Sequence, residues 1–323
     1  MPIVLEQAVG DLARAAEARR ADERVLRRVE DVEQLLGEDL GRVEQVLAET
    51  AAGCRAPADA AAAHLIRRGG KRARPLALLL SASCYGPVPP AARELAVVSE
   101  LVHSSTLLHD DVVDEGMVRR GVVTSRRLFG NGVSVLAGDL LLVRALEITQ
   151  RCFAPALPAL VDVLGQLVDG EVIQLRGRTE LDVSEETYER VLQGKTASLF
   201  AWATATGVQV AGGGAADQRA ADRFGRELGM AFQLVDDVLD YVGEASGKNL
   251  LADLGEGKLT LPLVLAIERR PDLMEQVRRI HEGAQEPVAE VCRAVVESGT
   301  CDVVRTRAVE HTEQGIAELG ALP

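Results

Sequence analysis

Aromatic residues are scarce in this 323-residue chain: one Trp, three Tyr and five Phe make up 3% of it. The core must therefore be aliphatic. Cysteine is thin too, and the five, at 54, 84, 152, 292 and 301, form no C-x-x-C pair and leave an odd count. That pattern argues against a disulfide framework and for free thiols in a reducing cytoplasm. No apolar run reaches the ~18 residues of a membrane helix, and no signal peptide opens the chain. The expectation is a cytoplasmic protein without a transmembrane segment, with loose membrane contact left open. Basic residues are outnumbered, 36 Lys plus Arg against 49 Asp plus Glu, for a net charge of −13. Nucleic acid is excluded as a partner on that balance. Period-two alternation and solenoid repeats are missing as well.

What remains is 47% hydrophobic and 26% charged, the composition of an ordinary globule. Its apolar residues are mostly Ala, Leu and Val, and Ala and Leu are strong helix formers, so the fold class reads as all-α. The first 50 residues are laced with Arg and Glu. Val25, Val29, Val32, Leu35 and Leu36 recur there at helical spacing. Pro89 and Pro90 suit the start of a helix running to about Gly116. A loop rich in Gly and Arg follows to 132, then helices near 133–152 and 158–177. Ser184 with Glu185 and Glu186 reads as an N-cap opening a helix through Lys195 to about 208. After Gly212–Gly214 a helix covers about 216–243. A Gly-rich loop spans 244–258, and three or four short helices finish the chain.

Two acidic clusters carry the chemistry: Asp110-Asp111-Val112-Val113-Asp114 and Asp236-Asp237-Val238-Leu239-Asp240. At about 3.6 residues per turn, Ser99, His103, Thr106, Asp110 and Asp114 share one helix face. Leu101, Leu108 and Val112 lie broadly opposite. Gly229, Gln233, Asp236 and Asp240 form a second such stripe. A solvated acidic face or local salt bridges would explain one cluster. Two clusters, both in apolar helices with few basic residues, instead suggest carboxylates that hold divalent cations. Oxygen-only ligands favour Mg²⁺, which is usually held by one or two carboxylates, waters and substrate phosphates. Lys71, Arg72 and Arg74 beside Gly69 and Gly70, then Arg119, Arg120, Lys195, Lys248 and Lys258, are candidates for binding the phosphates. Taken alone, Lys195 reads as a surface lysine and His103 as a core histidine.

Gly-Gly-Lys-Arg-Ala-Arg-Pro at 69–75, His103 seven residues ahead of Asp110, the first Asp cluster, Arg119-Arg120-Gly121, Gly194-Lys195-Thr196 and Phe232-Gln233-x-x-Asp236-Asp237-x-x-Asp240 occur in that order. The set resembles the trans-isoprenyl diphosphate synthase (polyprenyl synthetase) family from about residue 64 to 265. The resemblance implies an isoprenoid synthase-type helical bundle around a central cavity, with the two Asp motifs facing each other at its mouth. It also implies a homodimer. On this reading residues 36–323 are the single all-α domain, and 1–35 are a helical extension.

The implied reaction is head-to-tail condensation of isopentenyl diphosphate onto an allylic diphosphate. Asp110, Asp111, Asp114, Asp236 and Asp240 would hold two or three Mg²⁺ ions, for which Mn²⁺ could substitute. Of these, Asp110, Asp114 and Asp236 are the catalytic set, together with Arg119 and Lys195 at the leaving diphosphate. Lys258 adds charge there, and Lys248 is a further candidate for substrate binding. Lys71, Arg74, His103 and Arg120 would clamp isopentenyl diphosphate, and Thr196 and Gln233 would contact the allylic side. The released diphosphate would remove the final proton.

In the family, residues just before the first motif close the product tunnel. Here they are Ser105 and Thr106, both small. The resemblance therefore implies a long product, about six to ten isoprene units on the family's precedent. The alternative is a short-chain farnesyl or geranylgeranyl diphosphate synthase. A class I terpene cyclase would carry an N-D-x-x-S-x-x-x-E second motif, which is missing. A non-catalytic subunit of a heteromeric synthase would have lost an Asp motif. One departure stands out: Leu251 occupies a position where the family has Gly, in the loop that carries Lys248 and Asp253.

Overall fold

A computed structural model describes residues 23–52, 56–119, 121–242, 254, 258–284, 286–320 and 322–323. Fourteen helices longer than one turn run through them: α1 Glu23–Ala52, α2 Ala58–Ile66, α3 Ala73–Ser83, α4 Pro90–Val113, α5 Ser125–Phe129, α6 Asn131–Phe153, α7 Leu157–Glu180, α8 Glu185–Leu192, α9 Ser198–Val210, α10 Ala215–Val242, α11 Leu261–Arg269, α12 Leu273–His281, α13 Val288–Glu297 and α14 Thr300–Leu319. The expected all-α class holds. Among the described residues the one sheet is a hairpin of β1 Val118–Arg119 and β2 Val122–Val123, with Val118 opposite Val123. It lies in what reads from sequence as loop, because two-residue strands are too short to display a period.

The chain divides into two compact units: 1–158 with 203–219, and 159–202 with 220–322. In the first unit, α1 continues unbroken through residues 35 and 36. It buries Leu36, Leu40, Val43, Leu47 and Ala51, a stripe spaced 4, 3, 4 and 4 that matches the helical period. Each such leucine contributes about 2 kcal/mol of burial. Pro90 takes the first helical position of α4 after an extended Pro89, where its missing N–H costs nothing. α4 is buried continuously through Leu95–Val102 and packs most closely on α6. Gly138 makes this possible, since a Cβ there would lie 2.3 Å from His109 Nε2.

In the second unit, Ser184 caps α8, its Oγ accepting from the Thr187 N–H at 3.2 Å. Asp182 supports the same turn, accepting from Thr187 Oγ1 at 2.7 Å, and this hydrogen bond holds its carboxyl below the usual range. Leu192, Leu234, Val238, Leu263, Val277 and Val304 belong to an aliphatic core. The scarce aromatics are placed rather than spread: Phe200 and Phe232 pack at 5.4 Å between ring centres, and Tyr241 pairs its hydroxyl with Thr260 at 2.7 Å.

Candidate active site

In the first unit the Asp110–Asp114 motif ends α4. Asp110 and Asp114 are half-buried, whereas Asp111 is 1% exposed. Asp111 points into the protein because the chain folds back over it: the Gly116 N–H donates to its carbonyl at 2.9 Å, and a Cβ on Gly116 would lie 3.3 Å from its Oδ1. Arg119, on β1, donates from Nε to that same Oδ1 at 2.5 Å. Of the predicted metal ligands, Asp111 is thus tied to the predicted diphosphate clamp.

The basic motif preceding α3 has a buried centre. Arg72 adopts φ 45°, in the left-handed region that few L-residues occupy. Its guanidinium is held by Glu44 of α1, by Glu100 of α4 at 2.5 Å and by the Ile66 carbonyl at 3.4 Å. Burial works against the Arg72 charge, but Glu100 and Glu44 outweigh it and raise the pKa. Arg74 is also buried, and burial pushes it down to about 10 although Glu100 pulls the other way. Lys71 is exposed and His103 half-buried. Glu44 and Glu100 were not among the predicted residues. Glu100 was detectable in principle, as a lone acid inside the Val97–Val102 apolar run.

Ser105 is buried and donates to the Gly138 carbonyl at 2.8 Å, and Thr106 is half-buried and turns its hydroxyl onto the His103 carbonyl. None of the predicted residues lines the cavity of about 710 Å³ in this unit, whose walls include His64, Arg67, Arg68 and Phe129.

In the second unit the helix expected through Lys195 is interrupted. Gln193–Ala197 form a π turn, a wider coil that often accompanies a functional site. Two glycines explain its place. A Cβ on Gly194 would lie 2.7 Å from the Gln166 carbonyl, and one on Gly170 would lie 3.0 Å from the Lys195 backbone N. The turn therefore lies directly against the α7 backbone. Lys195 reaches Glu171 and Gln174 of α7, the latter at 2.6 Å. Gly229 brings α10 against the far side of the turn, with Ala197 Cα 2.6 Å from where its Cβ would be.

From this contact a chain of hydrogen bonds runs along α10. Thr196 Oγ1 donates to Gln233 Oε1 at 3.1 Å, and Gln233 Nε2 donates to Asp237 Oδ1 at 2.8 Å. Tyr188 of α8 donates its hydroxyl to Asp237 Oδ2 at 2.6 Å. Predicted residues Thr196 and Gln233 are thus linked to the second Asp motif, whereas neighbouring Lys195 turns its side chain to Glu171 and Gln174 of α7. Asp236 is half-buried and Asp240 9% exposed. Lys258 is half-buried, and Arg120, Lys248, Leu251 and Asp253 lie outside the described residues. Glu171, Gln174 and Tyr188 were not singled out from sequence, which places no partner for them at those distances along the chain.

Among the described residues no group of three or more His, Cys, Asp or Glu could hold a metal by itself. Within the first unit Asp110 and Asp114 are half-buried carboxylates, and within the second Asp236 is another. Oxygen donors in such small number are of the kind that suits Mg²⁺ completed by waters and phosphates.

Comparisons with known proteins place the chain in a family. The family profile described as Polyprenyl synthetase matches residues 56–298. Octaprenyl diphosphate synthase of Escherichia coli (strain K12) is 39% identical over 269 residues, covering 80% of this chain and 82% of that protein. A crystal structure of polyprenyl synthase from Caulobacter crescentus CB15, complexed with calcium and isoprenyl diphosphate, superposes with a TM-score of 0.85 at 36% identity, covering 91% and 92% of the two chains. A decaprenyl diphosphate synthase from Rhodobacter capsulatus gives 0.82 at 35% identity, with 91% and 93% covered. The architecture is the all-helical isoprenoid synthase fold. With three quarters of its length matched in order, the chain belongs to the polyprenyl synthetase family.

Proposed function

We propose that this protein is a prenyltransferase that joins isopentenyl diphosphate head-to-tail onto an allylic diphosphate and releases an all-trans, long-chain polyprenyl diphosphate. The observation that carries the reading is the hydrogen-bonded link from the Lys195 turn through Thr196 and Gln233 to the second Asp motif. The turn joined to the motif carries Lys195, and a cation near carboxylates is what a metal-bound diphosphate requires. The relatives named octaprenyl and decaprenyl diphosphate synthase support the long product, as do the small Ser105 and Thr106.

Asp110, Asp114, Asp236 and Asp240 are the residues assigned to Mg²⁺. Bound there, the ion supplies Lewis-acid withdrawal of charge from the departing diphosphate. Arg119 and Lys195 add positive charge at the same leaving group. Lys71, Arg74 and His103 hold the diphosphate of the second substrate, and the Glu44–Arg72–Glu100 pairing keeps that turn in its strained shape. Loss of diphosphate breaks the allylic C–O bond. The double bond of isopentenyl diphosphate then forms the new C–C bond, and the released diphosphate takes the proton. Aliphatic surroundings protect the cation from water.

The protein acts as a homodimer in the cytoplasm, with brief membrane contact as the apolar product leaves. Val161, Val168, Val172 and Leu175 support the dimer, because they form an exposed apolar stripe along α7. Purified protein is tested with isopentenyl diphosphate, an allylic primer and Mg²⁺. Diphosphate release that needs all three is expected. Release that is independent of the primer, or none at all, overturns the reading.

A further inference from the structure

Asp237 stands in the middle of a motif assigned to metal, yet its surroundings are those of a structural carboxylate. It is 3% exposed, and each of its oxygens accepts from a neutral protein donor, Tyr188 Oη at 2.6 Å and Gln233 Nε2 at 2.8 Å. Tyr188 is itself 7% exposed within the aliphatic core beside Leu192, Leu234 and Val238. Its ring is fixed by packing, so the hydroxyl is delivered to one point. Successive residues on a helix turn by about 100°. Pinning position 237 inward therefore sets the rotation of α10 and with it the directions of Asp236 and Asp240, one residue before and three after.

We propose that Asp237 is the anchor of the second Asp motif rather than one of its ligands, and that Tyr188 is the positioning residue that holds it. Groups that orient metal ligands from behind commonly change metal affinity by about 10- to 100-fold when removed. The pair also joins the motif to the Lys195 turn, because Gln233 bonds both Asp237 and Thr196. One network thus links the motif to the turn that carries Lys195.

An anchor and a ligand respond differently to an amide. Asparagine at 237 can still accept from Tyr188 through its oxygen. Its NH₂ can donate to Gln233 if that amide turns over, and the Thr196 hydroxyl then accepts from it. A ligand changed to asparagine loses its charge with no such compensation.

The inference rests on the functional reading above, and binding of Mn²⁺ in the presence of inorganic diphosphate, measured by titration calorimetry, separates the two. Asp237→Asn is expected to stay within about 3-fold of the parent affinity, Tyr188→Phe to lose about 10-fold, and Asp236→Asn to lose about 100-fold. The KM for isopentenyl diphosphate stays unchanged in Tyr188→Phe, which a general loosening of the fold would not permit. Circular dichroism establishes that each variant is folded, and Asp237→Asn carries the test if Tyr188→Phe is not. A parent protein that binds no Mn²⁺ with diphosphate overturns the functional reading and this proposal with it. Parent binding with Asp237→Asn as defective as Asp236→Asn, or with Tyr188→Phe unimpaired, overturns this proposal alone.

Discussion

The two Asp motifs differ by one apolar residue, D-D-V-V-D against D-D-V-L-D, and each buries its second Asp within its own unit. The anchors are of different kinds. Asp111 is held by a charged partner, Arg119, whose side chain is 25% exposed. Asp237 is held by a neutral hydroxyl and a neutral amide. A guanidinium has five N–H donors, so Arg119 can bind Asp111 through Nε and still offer others to a diphosphate. In the second motif those duties are, as proposed, divided: Tyr188 and Gln233 fix the helix, and Lys195 supplies the charge. On that reading one motif concentrates anchoring and substrate charge in a single side chain, and the other spreads them over several.

The largest effect should come where the two motifs are alike. Asp110→Ala and Asp236→Ala each remove a half-buried carboxylate, and turnover is expected to fall on the order of 10³-fold with an unchanged melting temperature. Steady-state kinetics beside thermal melting decides it. Near-normal turnover in either would break the parallel between the motifs.

The difference between them should show next. Arg119→Ala loses anchor and clamp together and should cost on the order of 10²-fold in kcat/KM, more than the loss expected for Tyr188→Phe. Equal losses would mean that Arg119 has only one of the two roles. Added salt sharpens the contrast, because the partly exposed Asp111–Arg119 ion pair is screened and the buried Tyr188–Asp237 hydrogen bond is not.

Gly194→Ala tests the packing that places Lys195. Its new Cβ meets the Gln166 carbonyl at 2.7 Å, a backbone atom that cannot swing aside. A loss of about 1–3 kcal/mol in stability is expected from overpacking, read as a lower denaturation midpoint. An unchanged midpoint would show that α7 yields more easily than its contact suggests.

The smallest effect is confined to the first unit. Arg74, lowered to about 10 by burial, sheds its proton as pH rises through that value. The KM for isopentenyl diphosphate should climb above pH 10 and stay level below it, as far as Arg74 governs it. A rise at lower pH would point to another group. Because the fold lowers this pKa, the charged form costs stability at neutral pH, and that cost fades only above about 10.

Much of the molecule was legible in its sequence, and the failures have a common cause. Pro90, Ser184 and the 4, 3, 4, 4 stripes could be read because helix starts and amphipathic faces depend on neighbours within one or two turns. Asp110, Asp114, Asp236, Lys195 and Gln233 could be singled out because their motifs are local. What escaped was set at long range. Tyr188 meets Asp237 across 49 positions and Arg72 meets Glu100 across 28, and no spacing rule connects such pairs. The π turn escaped because it is imposed by Gly170 and Gly194 meeting across two helices. That Asp111 turns inward is a further fact that pattern alone does not set.

Product length tests the central claim most directly. The protein is incubated with labelled isopentenyl diphosphate, a short allylic primer and Mg²⁺, and the dephosphorylated products are sized by reversed-phase chromatography. The account predicts a ladder rising one isoprene unit at a time and ending in a long chain, with Ser105→Phe moving its end to shorter products. A ladder that ends at farnesyl or geranylgeranyl length would contradict the long-chain reading, and the absence of any elongated product would contradict the assignment of the enzyme.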